Sequence, residues 1–189
     1  MKICGITSAE DAIIAKEAGA DMIGVIAFSR SPRCVDPVMI REIFDAVPSL
    51  TRCCVAHEPS VKELKAICAL RPDAIQVSCA VKVPDNCTAR VFRSIRPGDA
   101  LPDDADALIV DASRGSGRLY DAAYAVSVVR SARVPVFLAG GLTPENVGEA
   151  ARAVKPFGVD VATGVEYAPG KKDRKKVRTF VERAKGLRL

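Results

Sequence analysis

The chain has 189 residues, 49% of them hydrophobic and 27% charged, with a net charge of +5. That is the balance of a soluble globular chain long enough to bury a core as one domain, and no run approaches the roughly 18 apolar residues of a membrane span. Three Tyr, no Trp and basic residues spread along most of the chain argue against nucleic acid and suit a small anionic ligand.

The start, MKICG, has no signal-peptide pattern, so a cytoplasmic location is expected. Residues 2–4 open as a very short strand, and Gly5 turns the chain. Ser8, with Glu10 and Asp11 close behind, marks a capped helix start, and that helix should stop at Gly19. Residues 22–28 are a continuous apolar run with one glycine, the pattern of a strand buried on both faces. The polar loop 29–35 (SRSPRCV) follows, then Asp36-Pro37 opens a second helix with Ile40, Ile43, Phe44 and Val47 on one face. Residues 52–56 are a third strand, and Ser60 with Glu63 forms a capping box before a third helix.

Residues 74–77 are a fourth strand, after which the pattern weakens. The stretch 78–88 is too short and too rich in Pro, Asp and Asn for a full helix. A fifth strand at 89–95 leads into 96–105 (RPGDALPDDA), which again holds no credible helix. A sixth strand at 107–110 ends at Asp111 and enters a glycine-rich loop, with a helix from about 121 to 131 beyond it. Residues 134–138 (VPVFL) form the seventh strand, followed by Gly140-Gly141 and a helix that Thr143 should cap, with Pro144 in its first position. The eighth strand, 158–162, ends in Thr163-Gly164. The run 171–176 (KKDRKK) reads as the solvated start of a last helix carrying Val177, Phe180, Val181 and Ala184.

Eight buried strands, mostly followed by helices and spaced roughly 20–30 residues apart, suit parallel strands with crossovers. Eight also closes a (β/α)8 TIM barrel, here a compact one with its fourth and fifth βα units shortened. A doubly wound open sheet is the alternative, but no GxGxxG turn follows the first strand. In a barrel the active residues sit at the C-terminal strand ends. Those positions hold Cys4, the 28–33 loop, His57, Gln76, Arg93, Asp111, Gly140-Gly141 and Gly164. Phosphate sites often follow strands seven and eight, where Gly140, Gly141, Thr163 and Gly164 can offer backbone N–H groups. For the glycine pair taken alone, a tight turn without a ligand is an equal reading.

The seven cysteines are odd in number and form no CxxC pair, and His57 is the single histidine. Neither a disulfide framework nor a metal site is supported, and Cys53, Cys54 and Cys68 fit small apolar core side chains. Cys4 and Asp111 stand apart because both end strands; a buried thiol and a loop-capping carboxylate are their plain alternatives.

Five segments in order carry a resemblance. They are KICGIT at 2–7, SRSPRCVDP at 29–37, LIVD at 108–111 with GSG at 115–117, LAGGLTPENV at 138–147, and VDVATGVEYAPGKKD at 159–173. Together they make the chain, essentially end to end, similar to phosphoribosylanthranilate isomerases of tryptophan biosynthesis. The resemblance implies a (β/α)8 barrel that catalyses an Amadori rearrangement of an aminoaldose to an aminoketose without metal or organic cofactor. It implies Cys4 as general base and Asp111 as general acid. It also implies Arg33 as the cation for the anthranilate carboxylate, and Gly117, Gly140, Gly141, Thr163 and Gly164 at the substrate and its phosphate. A thiolate at Cys4 would be favoured by a nearby cation, and a guanidinium can take a carboxylate bidentately.

One departure is clear: the family's Gln-Leu-His-Gly-like motif after strand four is Gln76-Val77-Ser78-Cys79 here, without histidine. His57 reads as a loop residue rather than a catalyst. Indoleglycerol-phosphate synthase would want a lysine at a strand end, and an aminoimidazole-carboxamide isomerase an aspartate near the first strand; this chain has neither. A non-catalytic phosphate-binding barrel would need neither Cys4 nor Asp111. Monomer and homodimer are both compatible with the sequence.

Overall fold

The computed structural model describes residues 1–111 and 121–186. Eight parallel strands close into one barrel in sequence order: β1 Lys2–Cys4, β2 Met22–Ile26, β3 Thr51–Val55, β4 Ala74–Val77, β5 Arg90–Ile95, β6 Ala107–Asp111, β7 Val136–Ala139 and β8 Gly158–Val161. Helices α1 Ala9–Glu17, α2 Pro37–Ala46 and α3 Val61–Ala69 follow the first three strands, and α4 Ala122–Ser131, α5 Val147–Val154 and α6 Arg174–Lys185 follow the last three. After β4 and β5 there is no helix, as the weak pattern there implies. A two-stranded hairpin, β9 Glu166–Ala168 and β10 Lys171–Lys172, precedes α6. Among the described residues, no helix is long and apolar enough to cross a membrane.

The helix starts follow from their caps. Asp36 accepts from the N–H groups of Val38 and Met39, each at 2.9 Å, with Pro37 in the first turn where no donor is needed. Ser60 and Glu63 close a reciprocal capping box. Asp173 caps α6 through the N–H groups of Lys175 and Lys176.

Strand alternation divides the core in two. Outward residues such as Ile3, Ile23, Ile75, Val110, Leu138 and Val159 pack under the helices with Ile40, Phe44 and Phe180. Inward residues such as Cys4, Cys53, Val55, Phe92, Ile109 and Phe137 fill the barrel, where Phe92 and Phe137 stack with centroids 5.8 Å apart.

Several boundaries differ from the sequence reading by a residue or two, and at two places the physical reason is plain. β2 ends at Ile26, and Phe28 takes a left-handed φ of 51° that no strand continues. α5 begins at Val147, not at Pro144. Thr143 still behaves as a cap, since its Oγ1 accepts from the Glu145 N–H at 3.2 Å. Asn146, however, donates to the Gly141 carbonyl at 2.9 Å and accepts from the Thr143 N–H at 2.8 Å. Those bonds hold residues 143–146 as a separate turn against the glycine pair.

Candidate active site

A cavity of about 530 Å³ opens at the C-terminal mouth of the barrel. Cys4 at the end of β1 and Asp111 at the end of β6 both line it, together with Arg33, Gly140, Gly141, Thr163 and Gly164. Gly117 lies outside the described residues. Arg93, which the strand-end rule also picked, does not reach the cavity. Its neighbour Phe92 points inward, so Arg93 points out and meets Asp104 at 2.8 Å.

Cys4 is buried, and the floor beneath it is ionic. Lys2, two residues earlier on the same strand, enters the barrel beside it and is fully buried. Its Nζ donates to Asp160 Oδ2 at 2.9 Å and to Gln76 Oε1 at 2.6 Å, and Gln76 passes a hydrogen bond on to Ser94 at 2.9 Å. Burial opposes the Lys2 ammonium, but Asp160, with lesser help from the Cys4 and Cys53 thiols, holds its pKa above the ordinary lysine value. Burial pushes the Cys4 thiol up from its ordinary value; Lys2 and Lys172 pull it back only in part. The cations that sequence reasoning asked for are therefore present, yet desolvation outweighs them. Cys53, on β3 and also buried, is pushed up to about 12 by burial.

A second buried ionic group sits on the hairpin. Glu166 takes Arg33 bidentately, with Nε at 2.9 Å and Nη2 at 2.7 Å, and takes Lys172 Nζ at 2.9 Å on its Oε1. Lys172 also donates to the carbonyls of Cys4 at 2.6 Å and Ala162 at 3.3 Å. Burial opposes the Glu166 carboxylate, but Arg33 and Lys172 hold its pKa below the ordinary value. This corrects the reading of 171–176 as a solvated helix start: Lys172 is 2% exposed, and α6 begins only at Arg174. The run looks solvated because unpaired lysines normally are. The signal that contradicts it is Pro169-Gly170, a turn pair that folds Lys172 back onto Glu166.

Arg33 reaches the cavity with two of its nitrogens committed to Glu166, and Nη2 also meets Thr163 Oγ1 at 3.3 Å. The glycine turns lie where the barrel rule puts them. Gly140 and Gly141 have φ of 93° and 63°, conformations that L side chains rarely adopt. At Gly164 the constraint is packing between loops, since a Cβ there would fall 1.9 Å from the Leu142 carbonyl oxygen. His57 is a loop residue, as expected, but it also lines the cavity, with Nδ1 3.1 Å from Ser78 Oγ. Ser78 stands where the resemblance leads one to look for histidine.

A closed eight-stranded parallel barrel with a thiol, a carboxylate and two glycine turns around one mouth defines the class: a (β/α)8 barrel with titratable groups at the C-terminal strand ends. The comparisons narrow that class. Residues 1–183 match the N-(5'-phosphoribosyl)anthranilate (PRA) isomerase family, and the chain belongs to it. It is 50% identical over 187 residues to the N-(5'-phosphoribosyl)anthranilate isomerase of Methanoregula boonei, covering 98% of this chain and 96% of that one. The crystal structure of the phosphoribosylanthranilate isomerase of Thermus thermophilus superposes with a TM-score of 0.86 at 31% identity, over 98% of each chain. Another phosphoribosylanthranilate isomerase, in complex with reduced 1-(o-carboxyphenylamino)-1-deoxyribulose 5-phosphate, superposes with a TM-score of 0.81 at 29% identity, over 98% of each chain.

Proposed function

We propose that this chain converts N-(5'-phosphoribosyl)anthranilate to 1-(2-carboxyphenylamino)-1-deoxyribulose 5-phosphate, an isomerisation in tryptophan biosynthesis, with Asp111 as acid and Cys4 as base. The observation that carries the reading is the shared cavity: Cys4 and Asp111 face it from different strands, and the β7 and β8 glycine turns complete its rim. Asp111 donates a proton to the ribose ring oxygen, and the ring opens to an iminium. Cys4 takes the proton from sugar C2, leaving an enolamine that tautomerises to the ketose. Proton transfers alone complete the change. Arg33 meets the anthranilate carboxylate, and the backbone N–H groups around Gly141 and Gly164 meet the phosphate.

Because burial pushes the Cys4 thiol up, the base form grows as pH rises, so kcat/KM should climb with pH across the neutral range. A profile with no rising limb would remove Cys4 as the base, since a falling limb belongs to the acid. The direct test of function is turnover of freshly made substrate, followed by loss of its fluorescence. Asp111→Asn should lose at least about 10²-fold in kcat while binding product almost normally in calorimetry. Poor binding with a normal kcat would make Asp111 a positioning residue.

A further inference from the structure

The reading above uses Cys4 but not the lysine beneath it. Lys2 and Cys4 are two residues apart on β1, so both side chains enter the barrel. Both press on the same glycine of β2: a Cβ built at Gly24 would lie 2.8 Å from Cys4 Sγ and 3.0 Å from Lys2 Cε. The two side chains therefore converge on one spot of β2, and any side chain at Gly24 would displace both. An ammonium has three donors. Two of those of Lys2 go to Asp160 and Gln76, and the ammonium draws the Cys4 thiol down against the effect of burial. Asp160 in turn is bound through Oδ2 only; its Oδ1 is buried without a hydrogen-bond partner and the residue lines the cavity.

A lysine and an aspartate this deep in a barrel give up most of their hydration, which their mutual attraction must offset. Apart from Gln76 and Ser94, which continue the same hydrogen-bond chain, the inward side chains around the pair are largely apolar, so packing alone does not call for it. We propose that Lys2 is a positioning residue of the isomerisation: its ammonium holds Cys4 in reach of the thiolate form, and Asp160 is the counter-charge that fixes Lys2 and limits its effect. The proposal rests on Cys4 being the base. The other charged or titratable groups around Cys4 are Lys172 from β10, Arg33 from the loop after β2, Cys53 from β3 and Asp111 from β6. Lys172 and Arg33 share Glu166, and Lys172 Nζ lies on the Cys4 carbonyl; Lys2 is the cation that meets the sulfur's own packing site at Gly24.

The test reads the thiol itself. Iodoacetamide labelling of the Cys4 peptide, resolved by mass spectrometry, is followed against pH in the intact protein. Lys2→Met should slow Cys4 labelling near neutral pH by about tenfold or more, one unit of thiol pKa being one factor of ten. Asp160→Asn should speed it, because an anion near the sulfur is removed. A packing role for the pair would move both variants in one direction or neither. Should Lys2→Met fail to fold by circular dichroism, Asp160→Asn alone decides, and unchanged or slower labelling overturns the proposal. If labelling shifts in opposite directions as expected while Cys4→Ser keeps its turnover, the electrostatic pairing stands and the base assignment falls.

Discussion

The two sides of this barrel are built differently. On the side of β8 and β1, ion pairs are buried: Lys2 with Asp160, and Glu166 with both Lys172 and Arg33. On the side of β5, they face water. Arg93 meets an Asp104 that is 40% exposed, and Arg96 lies 3.7 Å from an exposed Asp99. The first side carries α6 and the hairpin; the second has lost both of its helices. A closed sheet makes that loss tolerable, because the strands satisfy each other's backbone groups without help from outside. Val81, Cys87, Ala89 and Ala105, from the helix-free loops, still give some apolar cover. The buried pairs thus gather around Cys4 and Arg33, the two side chains proposed for proton abstraction and carboxylate binding.

The sharpest way to break that contrast is to remove one acid from each side. Glu166→Gln leaves Lys172 and Arg33 without their carboxylate and should cost about 3–5 kcal/mol of stability. Asp104→Asn should cost under about 1 kcal/mol, both read by urea unfolding. The pH dependence has a definite sign. Glu166 has a folded pKa below its ordinary 4.5, so its stabilisation is complete above that value and is lost as pH falls through the lower, folded one. Glu166→Gln should flatten that acid limb. Equal costs for the two variants would erase the distinction between the sides.

A smaller effect tests what Arg33 does. Arg33→Met should weaken a ligand bearing the anthranilate carboxylate by about 1.5–3 kcal/mol and leave a ligand without it unaffected, as measured by calorimetry. Equal weakening of both would mean that Arg33 serves chiefly to tie the loop after β2 to Glu166. The smallest effect contrasts two glycines. Gly164→Ala forces a Cβ into the Leu142 carbonyl and should cost about 1–3 kcal/mol. Gly98→Ala, in the loop after β5, has a φ of +95° but nothing within 4 Å, and should cost about 1 kcal/mol from backbone strain alone. A harmless Gly164→Ala would mean that the β7 and β8 loops move apart freely.

Much of this was legible in the sequence. Strands announced themselves as apolar runs between turn residues, and Ser8, Asp36 and Ser60 begin helices because their side chains meet orphan N–H groups. The two missing helices showed as Pro- and Asp-rich stretches. The family resemblance fixed the site candidates, and those among the described residues all line one cavity. The buried ionic groups were harder to see. Lys2 and Lys172 look like surface lysines because a one-dimensional pattern does not display the partner that neutralises them. Asp160 gave the better signal, a charge inside the otherwise apolar strand Gly158–Val161. The start of α5 was missed because Thr143 and Pro144 have the chemistry of a helix start, while the Asn146 side chain bonds the glycine turn instead.

The central claim is that Cys4 performs the proton abstraction, and steady-state turnover of Cys4→Ser tests it most directly. The hydroxyl keeps the shape of the side chain but is a far poorer base near neutral pH. The account predicts a loss of at least about 10²-fold in kcat with product affinity largely kept. A kcat close to that of the unchanged protein would contradict it.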